Sequence, residues 1–254
     1  MYAPFIWVAV TLPLLLVSQR WIHQHLHGTA YLLTGNQRWA VVLYAIILFP
    51  GVLLHELSHW LAARLMGVRT GKISLLPRIQ KDNSIQLGYV EYYRTAGLGS
   101  TRESLIGAAP LITGTAVILL ISFHIFTIAD LLRALQIGDL DALLIALRQI
   151  IAANDFLVWL YLLFAISNAM MPSASDRRAW PTFLAIVAGL IALVYIVGLE
   201  EWLHRGLVGP VATLFGYLGL AFSLTLIVNL LFISLIAVVE LALSRLKGIS
   251  LFYE

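Results

Sequence analysis

The chain has 254 residues, of which 61% are hydrophobic and only 11% charged, with a mean hydropathy of +0.91. That composition excludes an ordinary soluble domain and indicates a single integral membrane domain over residues 1–254 with room for about six helical spans. The net charge of +3 comes from basic residues between apolar runs, so it reads as positive-inside loops facing a lipid bilayer, and nucleic acid is not an expected partner. With no cysteine in the chain, disulfides and thiolate-ligated metals are excluded.

Residues 4–18 read as a short first span, without the basic leader or cleavage site of a signal peptide. Residues 19–38 read as a polar connection. It carries His23, His25 and His27, which are expected to be solvated near headgroups, and is flanked by Trp21 and Trp39 as an interfacial aromatic belt would be.

Residues 41–66 form the second span and contain His55-Glu56-Leu57-Ser58-His59. Histidines four apart share a helix face, so two ring nitrogens can meet one metal ion. The glutamate after the first histidine can act on a water at that ion as general base. With 7 His and 7 Glu in 254 residues, H-E-x-x-H arises by chance roughly 0.005 times. Ionisable groups inside a span are costly without a partner, and a metal supplies one. Pro50-Gly51, one turn earlier, predicts a local break in this helix.

Residues 67–102 are the longest polar stretch. Residues 72–80 and 84–93 favour strands, and Lys81-Asp82-Asn83-Ser84 is a turn signal, which predicts a membrane-associated β-hairpin over about 72–93. Its free edge is suited to pairing with an extended segment of another chain. A third span is expected over 104–128, with His124 near its interfacial end, and an amphipathic surface helix within 129–155. A fourth span follows over 156–171, a fifth over 181–199 bracketed by Trp180 and Trp202, and a long last one over 211–243. Glu240, near its end, is expected to snorkel or meet Arg245.

With six spans and a cytoplasmic N-terminus, inside segments hold eleven Lys and Arg residues and outside segments five. This asymmetry predicts a cytoplasmic hairpin and cytoplasmic N- and C-termini in a cell membrane.

A zinc site needs a third protein ligand beside His55 and His59. Asp82, Glu91, Glu240 and Asp176 are available. Topology brings Asp176 to the face where the motif helix ends, although spacing alone favours a solvated interfacial aspartate paired with Arg177 or Arg178.

The two motifs together, His55-Glu56-Leu57-Ser58-His59 in one span and Asn168 with Asp176 eight residues later near the end of another, resemble the site-2 protease family of intramembrane zinc metalloproteases. That family's second motif is N-x-x-P-x-x-x-L-D-G. Gly88-Tyr89-Val90 resembles the G-Y-V of its hairpin, and Ala108-Ala109-Pro110 the A-G-P that opens its middle core span. The resemblance covers about residues 41–181. It implies an all-α polytopic fold with a three-helix catalytic core, one Zn2+ per chain on His55, His59 and Asp176, and Glu56 as catalytic base. It also implies substrate positioning by Asn168 and cleavage of membrane-embedded or membrane-adjacent segments of transmembrane protein substrates. The chain departs from the family pattern at several places. Pro172 lies four rather than three residues after Asn168, Ser175 replaces Leu, Arg177 replaces Gly, Ala109 replaces Gly, and Thr113 stands where Asn is usual. Arg177 implies that the backbone after Asp176 avoids the positive φ a glycine would allow. From other classes, the motif also suits a non-catalytic zinc-binding membrane protein, a scaffold or metal handler, or a hydrolase of a lipid-soluble, non-peptide substrate.

Overall fold

A computed structural model describes residues 2–79, 85–93, 99–198, 204–249, 251 and 253. Helix α1 (Ala3–Thr34) opens with a proline in its first turn and closes on Gly35, whose positive φ lets its N–H reach the Tyr31 carbonyl. Asn36 then caps α2 (Gln37–Leu65), its side chain accepting from the Arg38 amide. A two-residue turn therefore folds α1 back along α2.

This corrects the expected short span and polar connection over residues 4–38. The helix runs straight through Gln19, His23, His25 and His27. Hydropathy treats such residues as solvated, but three of them find partners in the bundle. Gln19 Nε2 donates to the Ser167 carbonyl at 2.6 Å, His23 bonds Tyr44 and the Asn168 carbonyl, and His25 Nδ1 lies 2.7 Å from Glu240. Polar side chains satisfied across helices are tolerated at membrane depth.

Between α2 and the next helix lie β1 (Thr70–Ser74), β2 (Arg78–Ile79), β3 (Ile85–Gln86) and β4 (Tyr89–Tyr92). β1 pairs antiparallel with β4, matching Ile73 to Val90, and β2 with β3, matching Ile79 to Ile85. Nested antiparallel pairs are what one hairpin produces. Its expected turn at Lys81–Ser84 lies outside the described residues.

Helix α3 (Ser100–Leu120) continues into a wider π-type turn over Ile121–Ile125. Two short helices follow, α4 (Ile128–Ile137) and α5 (Leu140–Ile151), where one amphipathic helix was expected. α6 (Phe156–Ala169) leaves α5 at a bend of 88°. α7 (Trp180–Ile196) precedes the 39-residue α8 (Gly209–Lys247).

Among the described residues four helices are long and apolar enough to cross a membrane, or five if α5 and α6 count as one bent span. That is the build of an integral membrane protein, and it supports four or five of the six spans expected. α6 has 14 residues and α7 has 17, both short of the ~20 that a straight crossing takes.

Two helix pairs run parallel. Trp7 Nε1 donates to Ser223, Asn229 Nδ2 to Ser18, and His25 meets Glu240, so α1 and α8 advance in the same sense. Likewise Tyr161 bonds the Ile47 carbonyl and His55 the Ala169 carbonyl, aligning α2 with α6. The start of α1 and the end of α8 thus lie at opposite ends of their pair. If both helices cross the bilayer, the termini face opposite sides, which is at odds with two cytoplasmic termini. Leu15, Ile22, Leu48, Ile118 and Phe164 fill the core between these helices, and Phe164 stacks on Phe232 with ring centroids 3.9 Å apart.

Candidate metal centre

α2 stays helical through Pro50, as a tolerated membrane proline allows, and a close helix contact follows at Gly51. A methyl group on Gly51 would overlap the Ala165 carbonyl oxygen. Small residues let membrane helices approach in this way. Two glycines of α3 act similarly. A Cβ on Gly114 would stand 2.5 Å from that of Met170, and one on Gly107 would overlap the Asp176 carbonyl oxygen. Chain 165–176 therefore nests between α2 and α3, which carries Asp176 to the motif face of α2.

His55, His59 and Asp176 converge, with one potential ligand atom from each within 4.8 Å of the others, and could hold a metal ion. His55 Nε2 lies 3.1 Å from His59 Nε2. His59 Nε2 lies 3.3 Å from Asp176 Oδ1, and His55 Nε2 lies 3.8 Å from Asp176 Oδ2. Three ligands on a tetrahedral ion at ~2.0–2.1 Å would be roughly 3.3 Å apart.

The protonation pattern follows from the partners. His55 Nδ1 is 2.6 Å from the Ala169 carbonyl, and His59 Nδ1 is 2.9 Å from that of Ile106. A carbonyl only accepts, so both Nδ1 atoms carry the proton. In the neutral rings both Nε2 lone pairs then face each other and a carboxylate. Three acceptors meeting at one point are relieved by a metal ion, or by a proton on one Nε2, and imidazoles fixed through Nδ1 are the usual outer support of metal ligands.

Asp176 sits in a turn that Ser173 holds. The Ser173 amide and hydroxyl donate to Oδ2 at 2.7 and 2.6 Å. Burial alone would raise the Asp176 carboxyl, but a proton on the facing Nε2 of His55 or His59, together with the Ser173 donors, holds it well below the usual carboxylate range. It is ionised at neutral pH, as a ligand must be. Among the described residues only Thr127 and Asp155 are non-glycines at positive φ, so Arg177 follows Asp176 with ordinary backbone and fits where a glycine was unnecessary. Neither Arg177 nor Arg178 is seen in an ion pair with Asp176, whose imidazole contacts lie on the bundle side.

Glu56 is buried and points to the hairpin. A Cβ on Gly88 would stand 2.9 Å from Glu56 Oε1, so a side chain there would have to push the Glu56 carboxylate aside, and the glycine lets the hairpin close over it undisturbed. Among the described residues no hydrogen-bond donor engages the Glu56 carboxylate, which leaves it open to act on water.

Asn168 is turned elsewhere. Its Nδ2 donates to the Phe164 carbonyl at 2.9 Å and to Asn229 Oδ1 at 3.0 Å. Its Oδ1 is buried without a partner among the described residues, so the amide faces α6 and α8 and does not stand free beside the cluster. Of the other acidic candidates, Glu91 accepts from the Lys72 amide on the hairpin. Glu240 accepts from Tyr253 and pairs with His25, not with Arg245. Asp82 lies outside the described residues.

Residue types alone did not reveal the supports of the site: Gly51, Gly107 and Gly114, the Ser58–Thr113 hydroxyl pair at 2.5 Å, and Gln19 and His23 on α1. The spacing of Gly107 and Gly114, seven residues apart on one helix face, is the signal that could have flagged two of them. Comparison of the chain with protein-family models, with curated proteins and with solved structures returned no match.

Proposed function

We propose that this chain is an intramembrane zinc endopeptidase that cleaves membrane-embedded or membrane-adjacent segments of transmembrane protein substrates. The observation that carries the reading is the meeting of His55, His59 and Asp176 beside Glu56, beneath Gly88 of the hairpin. A tetrahedral set of two imidazoles and one carboxylate with a fourth position free is the ligand pattern of catalytic zinc. A zinc ion held there would supply Lewis acidity and activate water near neutral pH.

The chain's own residues do the rest. The carbonyls of Ala169 and Ile106 orient the two imidazoles, and Ser173 orients the Asp176 carboxylate. Glu56 takes the proton from the attacking water and delivers it to the leaving amine nitrogen. A helical substrate hides its carbonyls in its own hydrogen bonds, so it must unwind before attack. The hairpin edge beside Glu56 suits an unwound segment, which would add as a strand. Asn168 serves as scaffold in this reading, because its N–H groups are bound inside the bundle.

The basic segment between α2 and α3 supports a cytoplasmic N-terminus and hairpin in a cell membrane. The parallel α1–α8 pair supports a C-terminus on the opposite face.

The test compares membranes carrying the wild type and Glu56→Gln. Gln keeps the size of Glu and cannot take a proton. Uncut transmembrane proteins should co-purify with the variant and appear truncated with the wild type. Identical patterns would favour a metal-binding scaffold, which is indifferent to this substitution.

A further inference from the structure

α6 ends at Ala169, inside the bundle and beside the metal centre. The last four carbonyls of any helix lack intrahelical partners, and in an apolar setting something must satisfy them. Here three successive ones are taken by side chains from other helices. Gln19 Nε2 donates to the Ser167 carbonyl at 2.6 Å, His23 Nε2 to that of Asn168 at 3.1 Å, and His55 Nδ1 to that of Ala169 at 2.6 Å. Gln19 and His23 are four apart and so share a face of α1. They bind the two carbonyls just before the one that orients His55.

We infer that Gln19 and His23 are positioning residues for the metal centre: they hold the last turn of α6 so that the Ala169 carbonyl fixes the ring of His55. The inference rests on the metal-site reading above. Tyr44 completes the device. Because the Asn168 carbonyl only accepts, His23 carries its proton on Nε2, and Nδ1 accepts from the Tyr44 hydroxyl at 2.6 Å. Tyr44 thereby holds His23 in the tautomer that can donate to α6. Asn229 adds a second brace, accepting from Asn168 Nδ2 while donating to Ser18 of α1. Gln19, Asn168 and Asn229 are all buried, so water is poorly placed to replace a lost donor.

The brace is one-sided. His59 is held by the Ile106 carbonyl of α3, which has no link to Gln19 or His23. Losing the α1 donors should let the end of α6 unwind or tighten and should tilt His55, while His59 keeps its support. Removing an outer partner of a ligand typically weakens metal binding 10–100-fold. These donors act one carbonyl further out, so about 10-fold is expected.

The experiment uses the purified full chain in detergent, with Co2+ alone as a spectroscopic probe and Zn2+ titrated against a chromophoric chelator. Gln19→Leu and His23→Ala should each weaken Zn2+ binding about 10-fold and alter the visible Co2+ spectrum. His23→Gln, which retains a donor at nearly the same place, should recover most of both. His25→Ala is the control, because His25 sits on the same helix and bonds Glu240 instead; it should change neither. Should His23→Ala fail to fold, Tyr44→Phe takes its place, keeping the ring while freeing the tautomer, and should weaken binding in the same direction. Unchanged affinity and spectrum in Gln19→Leu and in the His23 or Tyr44 variant, with a wild type that binds, would overturn the inference alone. An equal loss in His25→Ala would also overturn it, by showing general loosening. A wild type that binds neither ion would overturn the metal reading itself, and this inference with it.

Discussion

Gly107 of α3 lies flat against the backbone of Asp176, so close that a methyl group would overlap the Asp176 carbonyl oxygen. The residue before it, Ile106, gives its carbonyl to His59. One turn of α3 therefore sets two of the three candidate ligands. Gly107→Ala should displace the Asp176 turn, cost about 1–3 kcal/mol of stability as overpacking does, and weaken metal binding. Gly189→Ala on α7, where no atom lies within 4 Å of the added Cβ, should do neither. Thermal unfolding and zinc titration of the two variants check this.

Metal analysis of purified protein should find one zinc per chain, with strong loss in His59→Ala and in Asp176→Ala. Both imidazole nitrogens and the carboxylate face one point, so removing any one leaves too few donors for tight binding. Full retention of zinc in Asp176→Ala would move the third ligand to Asp82 or Glu91.

Gly88 admits the Glu56 side chain beneath the hairpin. Gly88→Val should leave zinc bound, since it touches no ligand, yet shift the base or the strand edge. A misplacement of about 1 Å can cost on the order of 10²-fold in rate. Cleavage should fall steeply while zinc content stays at the wild-type level. Loss of zinc in parallel with activity would show that the hairpin supports the ligands instead.

The parallel packing of α1 and α8 predicts opposite locations for the two ends of the chain. The cysteine-free sequence allows single-cysteine labelling without background. In intact cells a membrane-impermeant thiol reagent should label one of Tyr2→Cys and Leu246→Cys and leave the other for permeabilised cells. Labelling of both from the same side would show that one of these helices fails to cross.

The candidate metal motif was legible because its chemistry is local: His55, Glu56 and His59 sit on one helix, and helical spacing alone orients them. Asp176 was reachable through topology and through the resemblance of its spacing from Asn168 to a known motif. The direction of Asn168 was not, because its partner Asn229 lies 61 residues away on another helix. The polar stretch from Gln19 to His27 was misjudged for the same reason. A hydropathy profile records residue types, and the groups that satisfy Gln19, His23 and His25 belong to α2, α6 and α8. The count of spans is less firmly set, since neither α6 nor α7 reaches a full crossing as a straight helix. The parallel sense of α1 and α8 is a property of packing and leaves no mark on either run alone.

The most direct measurement takes a transmembrane protein trapped by Glu56→Gln and incubates it in detergent with purified wild-type chain, following its fragments by mass spectrometry. Cleavage is expected at an internal peptide bond; it should stop when zinc is chelated, resume when zinc is restored, and fall by roughly 10²–10⁴-fold with Glu56→Gln, as loss of a general base requires. An uncut partner, or cleavage that ignores both the chelator and the substitution, would contradict the proposed peptidase activity.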